Sequence, residues 1–205
     1  MAFFVGLTGG IGAGKTTVCE LFARRGAVIV DADVIVREIQ QPGTEGFEKI
    51  VETFGSEVVA GDGTLDRLKL AGIVFADPEQ RAKLEAITHP LVGARFAERT
   101  QQLRDTDNIV ILDIPLLGAS KSGSERFADA VVVVTASVES RVERLVARGL
   151  TREDAEARIA AQISDDERLK LADYVLTNDG SVDELDEQVG ALWQKLRQTA
   201  KGRTA

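Results

Sequence analysis

The stretch "AFFVGLTGGIGAGKTTV" at residues 2–18 restricts the fold more than any other part of the chain. The apolar run Phe3–Leu7 reads as a strand, the glycines that follow cannot extend it, and Thr16–Arg25 has helical spacing. Gly9 followed by Gly14-Lys15-Thr16 satisfies G-x-x-x-x-G-K-[ST], the phosphate-binding loop pattern, in the strand-to-helix context that the pattern requires. Glycines let successive amides curl toward one anion, and the first helical turn adds unpaired N–H groups and the positive dipole end. The expected nucleotide cradle is Gly10, Gly12, Ala13, Gly14, Lys15, Thr16 and Thr17, with Lys15 on the β- and γ-phosphates and the Thr16 hydroxyl on Mg2+.

A strand–loop–helix unit of this kind calls for a parallel sheet. The remaining apolar runs Ala27–Val30, Ile109–Leu112, Ala130–Val134 and Tyr174–Leu176 are nearly continuous, as strands covered on both faces are. Helical stretches separate them: Val34–Gln40, Gly46–Phe54, Pro78–Arg104, Val138–Arg148, Arg152–Lys170 and Asp183–Gln198. The order predicts a single α/β domain over residues 1–205, three layers around a mostly parallel five-stranded sheet. Residues 35–107 hold no convincing core strand between two that look central, and read as a helical insertion. Residues 138–170 read as an arginine-bearing helix and lid, and 200–205 as a disordered tail. Trp193, with Val189 and Leu192, has packing spacing in the last helix.

Composition narrows the function classes. Net charge is −8, against a nucleic-acid surface, and no apolar run approaches the roughly 20 residues of a membrane helix. The opening "AFFVGL" lacks a basic leader and reads as a core strand, not a signal peptide. Cys19 is the only cysteine, which excludes an internal disulfide, suits a cytoplasmic location and favours a buried apolar role. No obligatory protein partner is evident.

Several further residues are candidates for chemistry. In "VIVDADVIVR", Asp31 and Asp33 fall at the carboxyl end of a strand, where open α/β sheets bind ligands. A carboxylate there can accept the proton of an attacking hydroxyl; alternatively Asp33 caps a helix starting at Val34, or pairs with Arg37. Asp113 ends the run "NIVILD" as a magnesium-side acid would, or as a plain strand-end aspartate. Arg141, Arg144 and Arg148 form one helical stripe, suited either to a transferring phosphoryl group or to solvent. The lone histidine, His89, precedes Pro90 and is expected to mark a helix break. No guanine-reading N-K-x-D is present, and the inventory of loop, acceptor-side carboxylate, arginine lid and insertion favours a small kinase over a switch GTPase or a motor. A kinase for another small metabolite and a nucleotide-dependent binding module remain as alternatives.

Beyond this inventory, "GLTGGIGAGKTTV", "DADVIVREI", "PGTEGFEKIVETFG", "DGTLDRLKLAGIVF", "LEAITHPLV", "DIPLL", "RIAAQ" and "ADYVLTNDG" occur in the order seen in the dephospho-coenzyme A kinase family, which the chain resembles over residues 3 to 180. The resemblance implies the P-loop kinase fold, ATP and Mg2+, and phosphorylation of the ribose 3′-hydroxyl of dephospho-coenzyme A. It implies Asp33 as base or orienter, Arg144 and Arg148 as lid arginines alongside Arg141, and Asn178 near adenine. It also implies Asp31, Arg37, Arg67, His89 and Leu116 in the acceptor pocket. One departure stands out: the family usually has an acidic residue two positions after "PLL", where this chain has Ala119. That leaves acceptor-side hydrogen bonding open over residues 118–125.

Overall fold

The computed structural model describes residues 1–113 and 128–202, so Leu116 and the segment Gly118–Glu125 lie outside the described residues. The sheet consists of β1 (Phe3–Gly9), β2 (Val28–Asp31), β3 (Ile109–Asp113), β4 (Ala130–Thr135) and β5 (Tyr174–Thr177), in the order β2-β3-β1-β4-β5. β1 pairs in parallel with β3 and β4, and β4 with β5. β2 is therefore an edge strand, not the central one expected: its apolar run "VIV" shows burial but carries no information about strand order.

Two compact units emerge, Met1–Val30 with Leu103–Ala205, and Asp31–Gln102. In the first, alternation along the strands sorts side chains to two faces. Val5, Leu7, Ile109, Ile111, Val132 and Val134 share a core with Val18, Leu21 and Phe22 of α1 (Lys15–Arg24) and Leu185, Val189, Leu192 and Leu196 of α9 (Val182–Gly202). Phe22 and Trp193 meet there in a tilted pair with ring centroids 6.3 Å apart. On the opposite face Val131 and Val133 pack with Ala172, after the short α8 (Asp165–Leu169). α9 continues through Gly202, so residues 200–202 of the tail expected to be disordered are helical, and residues 203–205 lie outside the described residues. α6 (Val138–Ala147) and α7 (Arg152–Ala160) pack through Val142, Leu145 and Ala155.

The second unit is helical: α2 (Ala32–Ile39), α3 (Glu45–Phe54), a 3₁₀ turn at Ser56–Val58, α4 (Arg67–Ala76) and most of α5 (Pro78–Leu103). Ile50, Phe54, Val58, Leu65 and Leu70 form its own core. Thr44 and Asp66 cap α3 and α4 by accepting the amides of Phe47 and Lys69. Arg99 reaches from α5 to Glu38 of α2 with both carboxylate oxygens at 2.7 Å. The break expected at His89 does not occur. Pro90 lies inside a continuous α5, where proline costs one backbone hydrogen bond and the rest of a long helix supplies the others. Among the described residues, no helix is long and apolar enough to cross a membrane.

Candidate active site

Parallel pairing brings the ends of β1, β3, β4 and β5 to one edge of the sheet, with Leu7 beside Asp113 and Gly9 beside Val134. The phosphate loop leaves β1 at this edge. Its carbonyls are tied down from within and from outside: Gly9 O by Lys15 Nζ at 3.3 Å and Gly10 O by Ala13 N at 3.0 Å inside the loop, and Ile11 O by Arg141 Nε at 2.9 Å, Gly12 O by Arg144 Nη1 at 3.2 Å and Ala13 O by Asn178 Nδ2 at 2.8 Å. A peptide unit whose carbonyl is held cannot flip, so each bond also fixes the direction of the adjoining amide. Gly14 has φ 97° and would place a side chain against Asn178, while a methyl on Gly10 would run into the Arg141 guanidinium. Both positions require glycine.

The loop runs into α1, whose N-cap Gly14 has no side chain to spend on the first-turn amides and which has no acidic residue there. Those amides and the helix dipole remain available to an anion. Thr16 is exposed at the second position of α1, and Asp113 ends β3 with 8% exposure and the Cys19 thiol donating to Oδ2 at 3.7 Å. A hydroxyl and a carboxylate are the hard oxygen donors that Mg2+ takes, so these two residues fit that ion chemically.

The three arginines of the stripe have unlike surroundings. Arg141 is 3% exposed and clamps Ile11 O, Asp165 and Gln162. Arg144 donates to Gly12 O and, at 2.6 Å, to Asn178 O. Arg148 forms the exposed C-cap of α6, and its guanidinium makes no hydrogen bond or ion pair among the described residues. Helical spacing predicts the stripe correctly but not that its N-terminal members turn inward to the loop. Asn178 likewise braces Ala13 with its amide, and neighbouring Asp179 accepts Ser137 N at 2.7 Å. That bond, with help from the Ser137 and Ser140 hydroxyls and from Arg144, holds the Asp179 carboxyl below its ordinary pKa.

Within the helical unit, α2 starts at Ala32, two residues earlier than the cap reading of Asp33 required. Asp31 is the cap, its Oδ1 accepting Asp33 N at 2.7 Å and Val34 N at 3.2 Å. The Asp33 side chain is exposed and has no partner among the described residues, and no ion pair joins it to Arg37. Arg67 donates to the buried Gln40 at 2.7 Å, and His89 is exposed. A polar groove of about 430 Å³ in this unit is lined by Glu38, Arg95, Glu98, Arg99 and Gln102 and includes none of these candidates.

Against known proteins, the family model for dephospho-CoA kinase matches residues 3–184. The chain belongs to the dephospho-CoA kinase family. A dephospho-CoA kinase from Streptomyces avermitilis is 51% identical over 193 residues, spanning 94% of this chain and 93% of that protein. The solved dephospho-CoA kinase of Campylobacter jejuni superposes with a TM-score of 0.74 at 28% identity, over 97% of this chain and 99% of that one. A shikimate kinase from Bacteroides thetaiotaomicron shares the fold, with a TM-score of 0.53 at 18% identity over 95% and 98% of the two chains. The family reaction is ATP-dependent phosphorylation of dephospho-coenzyme A, the final step of coenzyme A biosynthesis.

For a member of this kinase family, the sequence reading left three residues beside the loop without a role. Gln162 accepts Ile11 N at 2.8 Å, and Asp165 bridges Arg141 and Arg168 at 3.0 and 2.8 Å. Arg168 is 4% exposed, and burial lowers its pKa. Gln162 closes the string "RIAAQ", which marked it as a family feature, but its partner is 151 residues away in sequence.

Proposed function

We propose that this chain, as a dephospho-CoA kinase, holds ATP on the Gly10–Thr17 loop and uses Asp33 as the base for the ribose 3′-hydroxyl of the acceptor. The hydroxyl oxygen forms a bond to the γ-phosphorus while the bond from that phosphorus to the β,γ-bridging oxygen breaks. The hydroxyl proton passes to the Asp33 carboxylate, and ADP leaves. Lys15 neutralises charge on the transferring group, and Arg148 is the stripe member with its guanidinium available for the same task. Thr16 and Asp113 would hold Mg2+, which supplies charge neutralisation on the nucleotide phosphates. Asn178 and Arg144 act on the loop carbonyls and keep its amides aimed at ATP. Asp31 orders the turn that presents Asp33, while Arg37, Arg67 and His89 are the candidate acceptor ligands of the helical unit.

The observation that most supports this reading is the tethering of every carbonyl from Gly9 to Ala13, which preorganises the loop for phosphate before any ligand arrives. A single buried cysteine supports a reducing, cytoplasmic setting. The test is a coupled ADP-release assay with MgATP, with and without dephospho-coenzyme A, and mass analysis of the product. ADP appearing only with acceptor, together with coenzyme A of the right mass, is the expected result. ADP released equally without acceptor would mark an ATPase, and no ADP from folded, ATP-binding protein would direct attention to other acceptors.

A further inference from the structure

The Ile11 peptide is gripped at both ends by side chains from a distant part of the chain. Its N–H donates to Gln162 Oε1 at 2.8 Å and its carbonyl accepts from Arg141 Nε at 2.9 Å. These two side chains are themselves 3.5 Å apart. Arg141 is fixed in turn by Asp165, which also holds Arg168, and both guanidiniums are almost wholly buried. Gln162 follows the C-cap of α7 and Asp165 opens α8, so the connection between these helices is fastened to the phosphate loop through one residue. Gln162 thereby sets the orientation of Ile11, the residue between Gly10 and the amides that lead to Lys15.

We infer that Gln162 is a positioning residue for nucleotide: acting through Ile11 and Arg141, it holds the phosphate loop in the conformation that receives the ATP phosphates. This rests on the proposed use of the loop for ATP. Two buried cations share one carboxylate here, so a second negative charge is tolerated at this spot. Gln162→Glu therefore keeps an oxygen acceptor for Ile11 N–H without stranding a charge, whereas Gln162→Met keeps the length of the side chain and removes the acceptor.

The test measures KM for ATP, KM for dephospho-coenzyme A and kcat for both variants. It also measures the Kd of MgADP by calorimetry, which needs no turnover, and the melting temperature without nucleotide. Gln162→Met should raise KM for ATP and Kd for ADP about tenfold, the loss expected for one partly buried hydrogen bond, and leave KM for dephospho-coenzyme A within about twofold. Gln162→Glu should restore most of the nucleotide affinity. The inference is overturned if Gln162→Met binds ADP like the unaltered protein, if both KM values and kcat worsen in proportion to a fall in melting temperature, or if Gln162→Glu is no better than Gln162→Met. A protein that binds ADP but phosphorylates no dephospho-coenzyme A would count against the function instead, because the calorimetric comparison would still stand.

Discussion

The candidate residues of the phosphate-loop unit and those of the helical unit are held to different degrees. Around the loop, Arg141, Arg144, Asn178 and Gln162 each spend a polar group on the backbone of Ile11–Ala13, and Arg141 is held further by Asp165. In the helical unit, the Asp33 and Arg37 side chains extend from α2 with no partner among the described residues, while Asp31 caps that helix and Arg67 is anchored on Gln40. The difference matches what the proposed function asks of each unit. A phosphate chain is bound by backbone amides, which must be directed by rigid bonds behind them. A hydroxyl acceptor needs a carboxylate that can take a proton, and a carboxylate already locked in an ion pair would be a poor base.

The comparison breaks first at its extremes. Lys15→Ala removes the cation nearest the proposed transfer and should lower kcat/KM for ATP by about 10³-fold or more, measured by ADP release with circular dichroism to show that the fold is retained. Asp33→Asn should lower kcat by at least about 10²-fold while the Kd for MgATP stays within about twofold. Normal turnover in Asp33→Asn would leave the transfer without its base and would reduce the exposed carboxylate to a surface group.

Much of the loop unit could be read in advance, and the reason is local chemistry. Continuous apolar runs such as Ile109–Leu112 and Ala130–Val134 have few alternatives to a covered strand, and the glycine spacing has few alternatives to an anion loop. What escaped reading depended on distance or on geometry. Arg141 and Arg144 share a helical stripe with Arg148, yet their partners Ile11 and Gly12 lie 130 and 132 residues away. Asp31 and Asp33 are both competent caps by type; the extended backbone of Asp31, φ −104° and ψ 119°, decides between them. The insertion was expected at 35–107, and the compact unit spans Asp31–Gln102, because α2 follows β2 without an intervening loop.

A smaller pair of effects sharpens the contrast by separating the two substrates. Asn178→Ala removes the donor to Ala13 O and should raise KM for ATP about tenfold, with KM for dephospho-coenzyme A nearly unchanged. Arg37→Met, in the helical unit, should do the reverse by a similar factor, since a cation there would meet the acceptor's phosphates. Steady-state kinetics with each substrate varied in turn decides the matter. If both variants shifted both constants equally, the division of labour between the units would fail.

The weakest expected effect tests the outer layer of the loop unit through its pH dependence. Asp179 accepts Ser137 N and ties the chain after β5 to the start of α6, and this bond holds its folded pKa below the unfolded value. A depressed carboxyl contributes stability that is fully present above the unfolded pKa of about 3.9 and is lost as the pH falls through the folded value. The side chain is exposed, so solvent screening keeps the contribution small. Asp179→Asn should therefore melt about 1–3 °C lower than the unaltered protein at pH 7. The gap should begin to narrow as the pH falls below the unfolded value of about 3.9, while KM for ATP changes little. A gap that stayed constant down to pH 3 would assign the effect to packing rather than to the ionised carboxylate. A large rise in KM for ATP would instead show that the bracing of the loop extends one layer further out, through Asp179 to Ser137 and the helix that carries Arg141 and Arg144.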